Sequence, residues 1–170
     1  MLAIGGGQDD YGRELRKTGV IGLRSEISML KGGEDSESGP YLGIGALEDG
    51  PGLIAGYDYI KYIGQSSGSP KKLGAQIEVN FSELGQTLHL RPSITSTTKR
   101  GHPFYGGVHG LLAIGSLTEH GYEGDIEIDY RLNSLGAGLT AGAEFLTYDN
   151  NSIQLQVDVS LVKNSFNIDG

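Results

Sequence analysis

The sequence contains no cysteine and no tryptophan. Without cysteine there is no disulfide framework, no thiolate metal site and no cysteine nucleophile. Long apolar runs are also missing: nothing approaches the ~20 residues of a transmembrane helix. Basic residues are few, 13 Lys and Arg against 21 Asp and Glu, for a net charge of −8. Nucleic acid is therefore excluded as a partner, because phosphate binding needs a basic surface. The one local basic run, Lys99-Arg100, sits in a polar stretch and reads as a solvated loop tip. The opening "MLAIGGGQDD" has no basic start and too short an apolar run for a secretory signal. The expectation is either a chain that stays in the cytosol or a mature form carrying an added Met1.

What the chain has in excess is glycine, 29 of 170 residues, more than twice the average usage of about 7%. The glycines follow no three-residue repeat, which excludes collagen, and the apolar residues are too regularly placed for a linker. The length suits one domain, 1–170, with 1–17 read as an irregular N-terminal segment.

Alternation with period two dominates from about residue 20 onward. In "KKLGAQIEVNFSE", Leu73, Ala75, Ile77, Val79 and Phe81 share one face and Gly74, Gln76, Glu78 and Asn80 the other. "QTLHLRPSIT" sets Leu88, Leu90 and Ile94 against His89, Arg91 and Ser93. "DIEIDYRLN" sets Ile126, Ile128, Tyr130 and Leu132 against Glu127, Asp129 and Arg131. "SIQLQVDVSL" sets Ile153, Leu155, Val157, Val159 and Leu161 against Gln154, Gln156, Asp158 and Ser160. More glycine-rich strands are read at about 20–30, 41–47, 53–63, 104–117 and 137–148, and "LAIGG" offers a short extra one. "DDYGRELRK" is read as a turn or a single helical turn.

Connections follow a rhythm. "KGGEDSESGP", "GQSSGSPKK" and "TTKRGHP" are long and polar; "EDGPG", "SELGQ" and "DNN" are tight hairpin turns. Long and short alternate strictly along the first six strands. After Leu117 the rhythm fails, because "NSLG" is a short turn where a long loop is due. No helix is available to cross between parallel strands. The fold class is therefore all-β: an antiparallel up-and-down (meander) β-barrel of about 8–10 strands, ahead of a β-sandwich.

Either face of such a barrel can meet water. With the apolar face inward, the chain is a soluble, lipocalin-like barrel, cytoplasmic or periplasmic, binding a small apolar ligand. With the apolar face outward, lipid or detergent surrounds it. The outward orientation is expected here: mid-strand lysine is scarce, and the polar face carries both charge signs (Glu78, Arg91, Glu127, Asp129, Arg131, Glu144). A narrow lumen filled by paired charges and glycine fits that pattern. Leu73, Ile77, Val79, Leu88, Leu90, Ile128, Val157 and Val159 are then expected on the outer face. The strand at 153–161 is expected to pair with the N-terminal strand and close the sheet.

"GPYLGIGA" at 39–46 and "HPFYGGVHG" at 102–110 resemble a strand opening of small Gram-negative outer-membrane barrels, in which a Pro-aromatic pair leaves a loop. "LGAGLTAGAEFLTYDNNSIQLQVDVSL" at 135–161 resembles their last hairpin. The nearest resemblance is to opacity-type and OmpW-like porin-family barrels. It implies an outer-membrane, non-enzymatic barrel with a polar lumen and surface loops. Family members usually end on an aromatic residue, whereas this chain ends "NSFNIDG". An interfacial girdle would rest on Tyr41, Tyr57, Tyr59, Tyr62, Phe81, Phe104, Tyr105, Phe145 and Tyr148.

No catalytic, cofactor or metal residue is assigned. The histidines, His89, His102, His109 and His120, lack the spacing of a zinc site. His89 and Ser93 share a strand face, as an acyl hydrolase would need, but nothing marks Ser93 as a nucleophile. "IGGGQDD" and "GIGALEDG" match no phosphate-binding pattern, and "GGEDSESG" lacks the spacing of an EF-hand.

Overall fold

The computed structural model describes residues 6–8, 14–33, 35–47, 50–63, 71–97, 103–120, 127–146 and 151–168, with the backbone alone described at 6–8, 14–20, 47, 50, 119–120, 127–130, 146 and 166–168. Nine strands follow one another: β1 (Gly6–Gln8), β2 (Glu14–Gly32), β3 (Ser36–Leu47), β4 (Gly50–Ile63), β5 (Lys71–Ser82), β6 (Gly85–Thr97), β7 (Phe104–His120), β8 (Glu127–Leu146) and β9 (Asn151–Ile168). Each pairs antiparallel with the next, and β2 also pairs with β9. Strands β2 to β9 therefore form a closed eight-stranded meander barrel, with β1 a short addition on β2.

Closure is long. β9 pairs with β2 from Arg16↔Phe166 to Lys31↔Asn151, and with β8 from Tyr130↔Ile168 to Leu146↔Ser152. Both edges of the strongly alternating 153–161 segment are thus hydrogen-bonded, as its pattern requires. Gly32 and Ser36, Ile63 and Lys71, Thr97 and Phe104, and Leu146 and Asn151 mark one end of the barrel, the loop end. Leu47 and Gly50, Ser82 and Gly85, and His120 and Glu127 mark the other, the turn end. The β5–β6 turn is closed by Ser82, whose Oγ accepts the Leu84 N–H at 3.3 Å, and by Gly85 at φ 152°.

Three segments depart from the sequence reading. "NSLG" is not a turn: 133–136 lie inside β8, where Gly136 pairs with both Leu111 and Val162. Removing that turn merges two expected strands into one and restores the alternation of loop and turn ends. "KGGEDSESGP" is mostly strand, since β2 and β3 pair as far as Gly32↔Glu37 and Gly33 N–H donates to Ser36 O at 3.0 Å. At that rim both faces are polar, so the alternation vanishes although the backbone still pairs. The N-terminal 1–17 is not wholly irregular either. Glu14–Lys17 belong to β2, and Gly6–Gln8 pair with Glu14–Arg16.

Glycine fits the bore rather than the turns at several positions. Gly56 pairs with Tyr41, whose ring lies across it; a Cβ there would fall 2.5 Å from Tyr41 Cζ and 2.6 Å from the Ile77 carbonyl oxygen. Gly142 stands in the same relation to Tyr105. Gly56→Val is expected to lower stability by about 1–3 kcal/mol through overpacking. Gly33→Ala, which has open space around its Cβ, should change it by less than about 0.5 kcal/mol. Equilibrium unfolding in urea measures both; equal midpoints would mean that Tyr41 does not pack on Gly56.

Candidate functional site

At mid-height the interior is a network of charges. Arg24 on β2 reaches Glu26 on its own strand, Glu78 on β5 with Nη1 2.5 Å from Oε1, and Asp158 on β9 with Nε 3.3 Å from Oδ2. Arg91 on β6 donates from Nη2 to Asp158 Oδ2 at 2.8 Å and from Nη1 to Gln76 Oε1 at 2.7 Å. Gln76 in turn donates to Glu26 Oε1 at 2.5 Å. Tyr41 donates its hydroxyl proton to Glu78, and His89 Nδ1 lies 2.9 Å from Glu78 Oε1 with Thr87 at its other nitrogen. The Arg24, Glu78 and Asp158 side chains are 0% exposed. Charges removed so fully from water persist only when paired and hydrogen-bonded.

Two further layers flank this centre. Toward the loop end, Lys72 pairs with Glu144, and its Nζ lies 5.2 Å and 5.1 Å from the ring centroids of Tyr62 and Tyr105. Glu37 accepts from Ser152 at 3.0 Å. Toward the turn end, the buried inward residues are mixed: Leu111, Ala113, Leu117, Leu132 and Val162 alternate around the bore with Asn80, Thr87, Ser134 and Asn164. The lumen is therefore not uniformly polar. The space left beside Asp58, Gln76 and Tyr105 is ≈ 10 Å³, about the volume one water needs.

Two of the four histidines, His89 and His109, have described side chains. His89 and Ser93 point to the same side of β6, and His89 is held by Glu78 and Thr87. An unexpected constellation lies across three other strands. His109 on β7 contacts Ser160 Oγ at 2.7 Å through Nε2 and Thr140 Oγ1 at 2.9 Å through Nδ1. Thr140 donates to Asp158 Oδ1 at 2.5 Å. This Ser–His–Thr–Asp chain is buried throughout, and its hydrogen bonds brace β7 to β8 and β9. No sequence motif marks it, because its members meet across strands. Among the described residues no group of three or more His, Asp or Glu is placed to hold a metal ion. His102, Tyr148 and Lys99-Arg100 lie outside the described residues, as does the side chain of His120.

The outer face is apolar on every strand of the barrel. Leu73, Ile77, Leu88, Leu90, Val157 and Val159 are exposed, and the half-buried Val79 has the same outward parity. Ile21, Leu42, Leu53, Ile94, Leu112, Leu139 and Leu161 continue the face around the circumference. The side chain of Ile128 is outside the described ones. On β8 the expected facing is reversed near the turn end: Leu132 is buried inside and Arg131 is exposed. Apolar residues occupy even positions up to Leu132 and odd positions from Leu135 on, with no change in pairing register. Arg131 consequently takes no part in the interior network expected for it, and Glu127 and Asp129 share its strand parity. The aromatic girdle is also smaller than expected. Tyr57, Tyr59, Phe81, Phe104 and Phe145 face outward, whereas Tyr41, Tyr62 and Tyr105 point into the lumen.

Compared with protein-family models, curated proteins and solved structures, the chain matches none.

Arg91→Leu would strip Asp158 and Gln76 of a partner inside the barrel. A loss of about 3–5 kcal/mol is expected, the usual cost of breaking a buried pair from one side. Arg131→Leu on the outside should change stability by under about 1 kcal/mol. Denaturant midpoints of the two variants compare them directly; a silent Arg91→Leu would remove the network from any structural role.

Proposed function

We propose that this protein is a small, non-enzymatic outer-membrane β-barrel of Gram-negative type, akin to the opacity-type and OmpW-like barrels. In this reading the apolar outer face meets lipid and the lumen is filled by side chains. The loop end carries surface interactions. The observation that carries it is the inverted burial: ion pairs inside, and Leu, Ile, Val and Phe exposed on all eight barrel strands. Soluble monomers rarely expose contiguous apolar patches beyond a few hundred Å².

The dimensions agree. The apolar face covers 21–29 on β2, 73–81 on β5, 135–145 on β8 and 153–161 on β9. Tilted transmembrane strands need about 9–11 residues, and segments of this length give a band roughly 25 Å tall. No helix among the described residues is long and apolar enough to cross a membrane, so strands would do so. Bilayers lack water for free backbone groups, and the β2–β9 pairing leaves no open edge along the band. An eight-stranded bore is filled by side chains, which argues against a general pore. The alternative, a soluble barrel holding an apolar ligand, would need an apolar interior; the mid-lumen charge network favours the lipid-facing reading over it.

The test is solubility and insertion. The purified chain should need detergent to remain monodisperse, and should insert into phosphatidylcholine vesicles. Val79→Lys is expected to cost up to ~2–4 kcal/mol near the bilayer midplane and to reduce insertion while leaving the lumen intact. A monodisperse chain in plain buffer, unaffected by Val79→Lys, would sink the proposal.

A further inference from the structure

At the loop-end border of the apolar band, the outward face changes from aliphatic to cationic on one side of the barrel. Lys31 on β2 stands two residues beyond the exposed Met29. Lys61 on β4 stands two beyond the exposed Tyr59, and Lys71 on β5 stands two before the exposed Leu73. All three lysines are exposed and share the outward parity of the band. The pairings Lys31↔Ser38, Ser38↔Tyr59, Lys61↔Leu73 and Ile63↔Lys71 fix their relative places. With strands about 4.8 Å apart and a rise of about 3.4 Å per residue, Lys61 and Lys71 lie roughly 8 Å apart at Cα. Lys31 and Lys61 lie roughly 12 Å apart. Their flexible stems let the ammonium groups converge on one or two phosphates between them.

Among the described residues the rest of the same border is uncharged: Ser96 on β6, Phe104 on β7, Phe145 on β8 and Asn151 on β9. In a chain of net charge −8 this run of three described lysines stands against the overall balance. Among the described residues, no carboxylate forms an ion pair with any of the three lysines, although Asp35 is exposed in the neighbouring connection. Tyr57 and Tyr59 lie beside them, with the Tyr57 hydroxyl 3.1 Å from Ser38 Oγ. Aromatic residues with a polar tip favour this depth, where one end is apolar and the other wet.

We infer that the outward face of β2–β5 at the loop end binds the phosphate headgroup of anionic lipid, with the acyl chains lying on the apolar band beneath. This rests on the reading that the band meets lipid. Lipid is the occupant the geometry selects, because the lysines follow the band on the same strand faces. Any lipid packed on Leu73 or Ile77 brings its headgroup to the level of Lys31, Lys61 and Lys71. A basic residue near an anionic surface strengthens attraction by about fivefold, so the three together supply on the order of 100-fold.

The experiment uses the full chain in detergent micelles, with phosphatidylglycerol or phosphatidylcholine titrated in and retained lipid counted by native mass spectrometry. The wild type should retain phosphatidylglycerol at least about tenfold better than phosphatidylcholine. The triple variant Lys31→Gln, Lys61→Gln, Lys71→Gln should lose that preference. The corresponding triple change to Arg should keep it, and Lys163→Gln, at the other end, should leave it unchanged. Glycerol 3-phosphate should not compete, since it has no chains to rest on the band. Equal retention of both lipids by the wild type would overturn the inference. So would an unaffected triple Gln variant, or full competition by glycerol 3-phosphate. If the wild type inserts into phosphatidylcholine vesicles yet shows no lipid preference, the headgroup site alone fails. If it needs no detergent and does not insert, the membrane reading fails with it.

Discussion

Everything in this barrel turns on the neutralisation of Arg24 and Arg91 in a bore no wider than the side chains that fill it. Neither guanidinium can reach water, so each must find carboxylates within the lumen: Arg24 takes Glu26 from its own strand and Asp158 from the adjacent β9, and each guanidinium also reaches a strand it is not paired with. Arg24 on β2 meets Glu78 on β5; Arg91 on β6 meets Asp158 on β9. These two pairs span the bore between strands that are not hydrogen-bonded neighbours. They hold only if the sheet is closed at this circumference and each strand keeps its inward parity. The apolar exterior follows from the same constraint. With a side-chain period of two, every residue placed beside an inward charge points outward.

The fold was largely readable from residue order because β5, β6 and β9 are uniform on both faces for most of their length. Leu73 to Phe81 and Ile153 to Leu161 alternate without interruption, and the ends of those segments fall near real turns. Legibility was lost where the two faces no longer differ in polarity. Around Glu37 and Ser38 both faces are polar, so a paired strand resembled a loop. Within β8 the apolar parity switches between Leu132 and Leu135, so a continuous strand resembled two strands joined by a turn. Asn133, Ser134 and Gly136 reinforced that impression, since their turn preference is real but yields to pairing on both sides.

The lumen was legible in kind rather than in detail. Parity identified Glu78, Arg91 and Glu144 as inward, but it cannot say which residue faces which across the bore. That depends on strand number and stagger, which alternation does not encode. For the same reason the contacts of His109 with Thr140 and Ser160 left no trace in spacing. Tyr41 and Tyr105 were placed outside on general aromatic preference. The glycines opposite them, Gly56 and Gly142, were the available signal, since a ring turned into a narrow lumen needs a partner position without a side chain.

The β2–β9 seam has a kinetic consequence. Every other barrel pairing joins strands that are consecutive in the chain, so each hairpin closes a short loop and forms early. The seam joins residues near opposite termini, and it repays its loop-closure entropy only once seven strands are already in order. Until then Arg24 lacks Asp158, and the outermost strands present open edges beside apolar side chains. Assembly of this barrel is therefore expected to be limited by a single late zipping step, with the half-built sheet the species most exposed to aggregation.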